Sequence, residues 1–150
     1  MTHTIRAALP SDFTRLVEFL ALIDAETSRP LGRKFIETWL SNSCRCPRFL
    51  VAVENEKIIG ASAWSEELFT LEVWGISWVA VHPDRRNKGI GQALVQACLD
   101  EISRAAGKTV TVILAAYPDK AKLYERLGFQ KSGQSHVGGW FMTKILKTAK

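Results

Sequence analysis

The chain has 150 residues and a formal net charge of +5, enough length for a single domain, 1–150, that buries about two thirds of its unfolded surface. No apolar run approaches the ~20 residues that span a bilayer. The segment Met1–Arg6 lacks the apolar core of a secretory signal, so a cytoplasmic protein with no membrane partner is expected.

Taken in order, His3–Leu9 reads as a strand ended by Pro10. Ser11 is a plausible N-cap for a helix whose stripe is Phe13, Leu16, Val17, Leu20 and Ile23. A polar break at Asp24–Ser28 precedes a second helix, with Pro30 in its first turn and Phe35, Ile36, Trp39 and Leu40 on its inner face. Cys44–Pro47 is a loop. Three cysteines, an odd number, argue against a disulfide framework. Cys44-Arg-Cys46 would hold a metal only with further ligands, and the histidines lie far from it in sequence; free thiols and no metal are expected.

Phe49–Val53 and Ile58–Trp64 read as strands joined by a hairpin connection, Glu54–Lys57. A third strand, Leu71–Val81, is rich in β-branched and aromatic residues and stops before Pro83, which has no N–H for a ladder. From Gly89 the apolar residues fall at Ile90, Leu94, Ala97, Cys98 and Ile102, a helical spacing that runs to Gly107. Thr109–Ala115 is a nearly continuous apolar strand, as expected for one covered on both faces. Strand, helix and strand in that order imply a parallel pair with a right-handed crossover. A short helix, Ala121–Leu127, is capped by Gly128, and Gln130–Ser135 with Trp140–Leu146 form a closing antiparallel pair.

The chemistry concentrates where the third strand meets its helix. Gly89 and Gly91 occupy the first turn, where backbone N–H groups have no intrahelical partner. Without Cβ atoms there, an anion can approach those donors, and the helix dipole favours its charge. Arg85, Arg86 and Lys88 add mobile positive charge at the rim. Charge along the chain agrees: residues 1–78 carry net −2 and residues 79–150 net +7, which suits a polyanionic partner for the second half and a cationic one for the first. A mononucleotide P-loop would need Gly-x-x-x-x-Gly-Lys-Ser/Thr, which is missing. A dinucleotide fingerprint would need glycine at Leu94.

What remains, Arg86-x-x-Gly89-x-Gly91 after a Val-rich strand, resembles the acyl-CoA-binding motif of the GNAT N-acetyltransferase superfamily. Ala121-Lys122-Leu123-Tyr124-Glu125-Arg126-Leu127-Gly128-Phe129 is similar to that family's last helix, and the likeness extends over nearly the whole chain. It implies an α/β fold: a mixed, mostly antiparallel sheet with one central parallel strand pair splayed at the cofactor site and helices on both faces. It also implies acetyl-CoA as co-substrate. The pantetheine arm would run along Val79, Ala80 and Val81 as an added edge strand. The pyrophosphate would meet the amides of Asn87, Gly89, Ile90, Gly91 and Gln92 beside Arg86 and Lys88.

The resemblance makes Tyr124 the acid that protonates the departing sulfur, feasible for a phenol near pKa ~10. A backbone N–H, that of Val79, would polarise the thioester carbonyl. The base is open. Relatives often carry Glu or His where this chain has Gly75 and Ser77. Glu72 is the carboxylate on the strand, on the face opposite Gly75 unless a bulge intervenes; Glu26 and a water chain are the alternatives. Pro118 stands where many relatives have Asn against the cofactor arm. Trp64, Phe69, Trp74 and Trp78 are candidates for an acceptor wall.

The expected activity is acetyl transfer to a primary amine of a small molecule or peptide. A non-catalytic acyl-CoA sensor docked on a partner protein is the alternative, and a homodimer stays open. No nucleic-acid motif accompanies the basic half.

Overall fold

In the computed structural model of this chain the described residues are 2–23, 47–67, 70–136 and 138–148. The second helix expected after Pro30 lies outside them, as do Glu26, Cys44, Cys46 and Phe69. Seven strands form one sheet in the order β1-β2-β3-β4-β5-β7-β6: β1 Thr4–Ala7, β2 Arg48–Glu54, β3 Lys57–Glu66, β4 Val73–Val81, β5 Val110–Ala116, β6 Gln130–Gln134 and β7 Trp140–Leu146. Every described pairing is antiparallel except β4 with β5.

Strand alternation divides the core into two layers. Phe49 and Val51 of β2 pack with Leu16, Phe19 and Leu20 of α1 (Phe13–Ile23). Leu50 and Ala52, on the other face, belong to a second cluster with Leu94, Val95 and Leu99 of α2 (Ile90–Ala106) and, farther across the sheet, Leu127 and Phe129 after α3 (Ala121–Arg126). Helices therefore cover both faces. Each fully buried Leu or Ile contributes about 1.5–3 kcal/mol. Gly60 lets α2 approach, since a Cβ there would lie 2.8 Å from Leu94 Cδ1. Buried Ser62 bridges the same contact, accepting from Cys98 Sγ at 3.1 Å and donating to Leu94 O at 3.4 Å. Burial pushes the Cys98 thiol up to about 12, so it packs as an inert group.

Asn55 and Glu56 both have positive φ, 49° and 64°, giving β2 and β3 a two-residue hairpin turn whose twist matches the strands. Ser11 is not the cap of α1. It lies inside a 3₁₀ turn, Pro10–Asp12, and Asp12 accepts the Leu9 N–H at 2.8 Å. Asp12 also takes Arg6 at 2.7 Å and Arg15 at 2.9 Å, which ties β1 to α1. The Arg6 hydrogen bond holds the Asp12 carboxyl down at about 2. The second face of β5 is less covered than its apolar run suggests: Thr111 and Ile113 are half-buried and Ala115 is exposed. Among the described residues no helix is long and apolar enough to cross a membrane.

Candidate active site

Parallel pairing of β4 with β5 covers Val73 with Thr111, Trp74 with Val112 and Gly75 with Ile113, then stops. Beyond that point β4 continues along β3 and β5 along β7. The two strands part, and an open cleft of about 930 Å³ lies between them. Its walls are Ile76–Val81 on one side and Leu114–Tyr117 on the other. The β4 wall is bulged: Ser77 pairs with Ala63 and Ala80 with Ala61, so Trp78 and Val79 share the place opposite Ser62. Trp78 has φ +54°, a left-handed conformation that costs a bulky residue about 1–3 kcal/mol and re-aims the backbone around it. Facing the cleft, β4 has no strand to pair with, so its amides and carbonyls suit an extended amide chain.

At the C-terminal end of β4 the chain turns through Pro83–Arg85, with His82 Nδ1 accepting the Asp84 N–H at 3.2 Å. Arg85 does not float at the rim. Its guanidinium is bound to Glu54 at 2.7 Å, which holds the Glu54 carboxyl below the usual carboxylate range. Arg86 Nε donates back to Val81 O at 3.2 Å. Asn87 at φ +61° and Gly89 at φ +80° complete the reversal, and α2 opens with Gly89 O accepting from Ala93. The first-turn amides of Ile90, Gly91 and Gln92 thus precede any intrahelical acceptor. Space above Gly89 is open, with nothing within 4 Å of a Cβ placed there. Of the ten residues expected around a cofactor, nine line the cleft; exposed Lys88, set between the two left-handed residues, does not.

Tyr124 of α3 faces the same cleft from across the gap. It is 7% exposed, with its ring edge against Phe129 at 6.1 Å. Among the described residues its hydroxyl has no protein hydrogen-bond partner. Burial, with a smaller push from Cys98, raises the phenol to about 12. That corrects the expectation of an ordinary phenol: the group stays a hydrogen-bond donor throughout the physiological range and is a weaker acid than assumed.

Glu72 is not brought to the cleft. It precedes β4, where Lys108 Nζ holds its carboxylate at 2.7 Å, seven residues and roughly 23 Å of strand before Val79. The bulge lies at Trp78, too far along to turn Glu72 round. Trp64 and Trp74 are core residues stacked at 6.0 Å beneath α2; of the described aromatic candidates, Trp78 alone lines the cleft. Pro118 begins a 3₁₀ turn, Pro118–Lys120. Tyr117, Lys120, Lys122 and Arg126, not among the residues expected at a cofactor site, also line the cleft. A signal existed, since Lys122 and Arg126 are spaced i, i+4 on one helix face. Among the described residues no three side chains are grouped to hold a metal.

An acetyltransferase (GNAT) domain family matches residues 45–131. The S-(2-succino)cysteine N-acetyltransferase of Bacillus subtilis (strain 168) is 30% identical, with the match covering 98% of this chain and 96% of that protein. An uncharacterized N-acetyltransferase, ycf52, of Pyropia yezoensis is 33% identical over 51% of this chain, which spans only 42% of that relative's length. In fold, the chain is similar to yncA of Salmonella typhimurium, solved with acetyl-CoA: TM-score 0.75, 22% identity, 100% of this chain and 97% of that one.

Proposed function

The chain belongs to the GNAT family of N-acetyltransferases, and we propose that it moves an acetyl group from acetyl-CoA to a primary amine of a small molecule or peptide. The amine attacks directly, with both substrates bound to one domain. The observation that carries this reading is the fork beyond Gly75 and Ile113, which has open first-turn amides at one end and the unengaged Tyr124 hydroxyl on its wall.

Each part of the cleft has a role in the proposal. Amides from Asn87 to Gln92, with Arg86 alongside and Lys88 adding field from outside, hold the diphosphate. The backbones of Val79 and Val81 receive the pantetheine amides. An N–H in the Trp78–Val79 bulge polarises the thioester carbonyl, and Tyr124 donates to the sulfur as it leaves. Acetyl-CoA supplies the activated acyl group. The Bacillus relative is named for the amine of an S-substituted cysteine, which supports a small amino-acid-like acceptor.

A second reading, an acyl-CoA sensor, is favoured by one fact: the cleft receives no carboxylate from β4. Thiol release with acetyl-CoA and a panel of amines, including S-(2-succino)cysteine and short peptides, separates the two. Turnover of any amine supports the enzyme; saturable acetyl-CoA binding without thiol release across the panel supports the sensor.

A further inference from the structure

An acceptor amine meets the protein as an ammonium at neutral pH. Acetyl transfer onto it needs a group that holds the cation and takes a proton. Register locates the face from which such a group can act. Ala63 packs toward α1, and its partner Ser77 shares that face; two residues along, so do Ser65 and its partner Gly75. Trp74 and Ile76 face α2 instead. Gly75 therefore carries the side-chain position at the root of the fork on the α1 side, and it is buried without a side chain.

Backbone conformation does not demand glycine there, because Gly75 lacks a positive φ. What occupies the position is Glu67. A Cβ built on Gly75 would overlap Glu67 Oε1, with Ile113 O 3.8 Å away. The Glu67 N–H donates to Val73 O at 3.0 Å, carrying the β3–β4 ladder one step past Glu66 and setting Glu67, by alternation, on the face of Ser65 and Gly75. Its carboxylate thereby lies over Gly75, whose pairing with Ile113 is the last before the strands part. Glu67 is half-buried, and among the described residues no hydrogen bond or ion pair engages its carboxylate. The adjacent Glu66, by contrast, pairs with Arg48 at 3.6 Å. A half-buried carboxylate with no counter-charge, lying over the residue next to Ile76 of the cleft wall, suits a cationic ligand.

We infer that Glu67, reaching across Gly75 from the β3–β4 connection, binds the acceptor ammonium and accepts its proton as the nitrogen attacks, an assignment that rests on the acetyltransferase reading. The new C–N bond forms from the nitrogen lone pair, and the C–S bond breaks with its electron pair on sulfur. Of the ammonium's three protons, one stays on the amide and one leaves through Glu67 to solvent. The third balances the proton that Tyr124 gives to sulfur.

The acceptor for the test is the panel amine with the fastest thiol release. Glu67→Gln preserves size and should leave the melting temperature and calorimetric affinity for acetyl-CoA unchanged, while kcat/KM falls about 10²-fold or more. Saturation-transfer NMR with that amine alone, without acetyl-CoA, should lose signal in the variant. Glu67→Ala should be equally slow, and adding Gly75→Asp, which returns a carboxylate to the vacated place, should recover activity. Wild-type kcat/KM and amine binding in Glu67→Gln would overturn the assignment and leave the acetyltransferase reading standing. No thiol release by the wild-type protein from any amine would overturn both.

Discussion

Arg85 Nε and Nη2 both donate to one oxygen of Glu54, at 2.9 and 2.7 Å, so the turn leading into α2 is moored to the end of β2. The Glu54 carboxylate is 8% exposed, and removing Arg85 leaves that charge unpaired in a dry place. Arg85→Ala should lower the melting temperature and weaken acetyl-CoA binding indirectly, less than a change at Gly89 does. Because Arg85 holds the Glu54 carboxyl low, its contribution is present above the ordinary glutamate range and is lost as pH falls through the lowered value. Urea unfolding against pH should show a shallower acid loss in Glu54→Gln.

Gly89 and Gly91 should respond differently to the same substitution. Gly89→Ala forces a side chain into φ +80°, costing about 1 kcal/mol of stability and shifting the first-turn amides. At Gly91 a Cβ would sit in ordinary contact, 3.5 Å from Val81 Cγ2 and 3.8 Å from Leu123 Cδ2. Gly91→Ala should therefore fold with unchanged stability, and Gly91→Val should narrow the cleft and weaken acetyl-CoA binding. Thermal melts and calorimetry on the variants check both.

Tyr124→Phe should leave stability and acetyl-CoA affinity near wild type, because the hydroxyl has no protein partner to lose. Turnover should fall about 10²-fold, the lower range for a positioned acid. With the phenol raised to about 12, it remains protonated through pH 10. Any alkaline fall in rate below that must come from another group, and it should persist in the residual activity of the phenylalanine variant.

The Asp12 cluster sets an acid limit on the fold. Its carboxyl is held at about 2, against 3.8 unperturbed, first by the Arg6 hydrogen bond. The resulting stabilisation, about 2 kcal/mol, is fully present above pH ~4 and disappears as pH falls toward 2. Asp12→Asn should be less stable at pH 7 and should lose much less between pH 4 and 2, as read by urea midpoints.

Features legible in the sequence were those set by near neighbours. A glycine pair opening an apolar helix, a strand closed by Pro83, and Tyr124 on a short helix capped by Gly128 are each specified within a few residues, and the structure places them together. Long-range commitments were hidden. Arg85 read as a mobile rim charge because its partner lies 31 residues away. No glycine marks the bulge, where Trp78 itself adopts the left-handed conformation. Glu72 is the carboxylate of the expected strand itself, whereas Glu67 comes to Gly75 from the end of the neighbouring strand, through the β3–β4 pairing. Ser11 fits a cap by composition, yet it lies inside the 3₁₀ turn, where Asp12 takes the Leu9 N–H and the guanidinium groups of Arg6 and Arg15.

Isothermal titration of the purified protein with acetyl-CoA bears most directly on the claim that an acyl carrier threads the gap between β4 and β5. The expected result is saturable binding at one site per chain, weakened at least tenfold by Gly91→Val in a variant that melts at the wild-type temperature. Heat indistinguishable from dilution, or equal affinity in that variant, would contradict it.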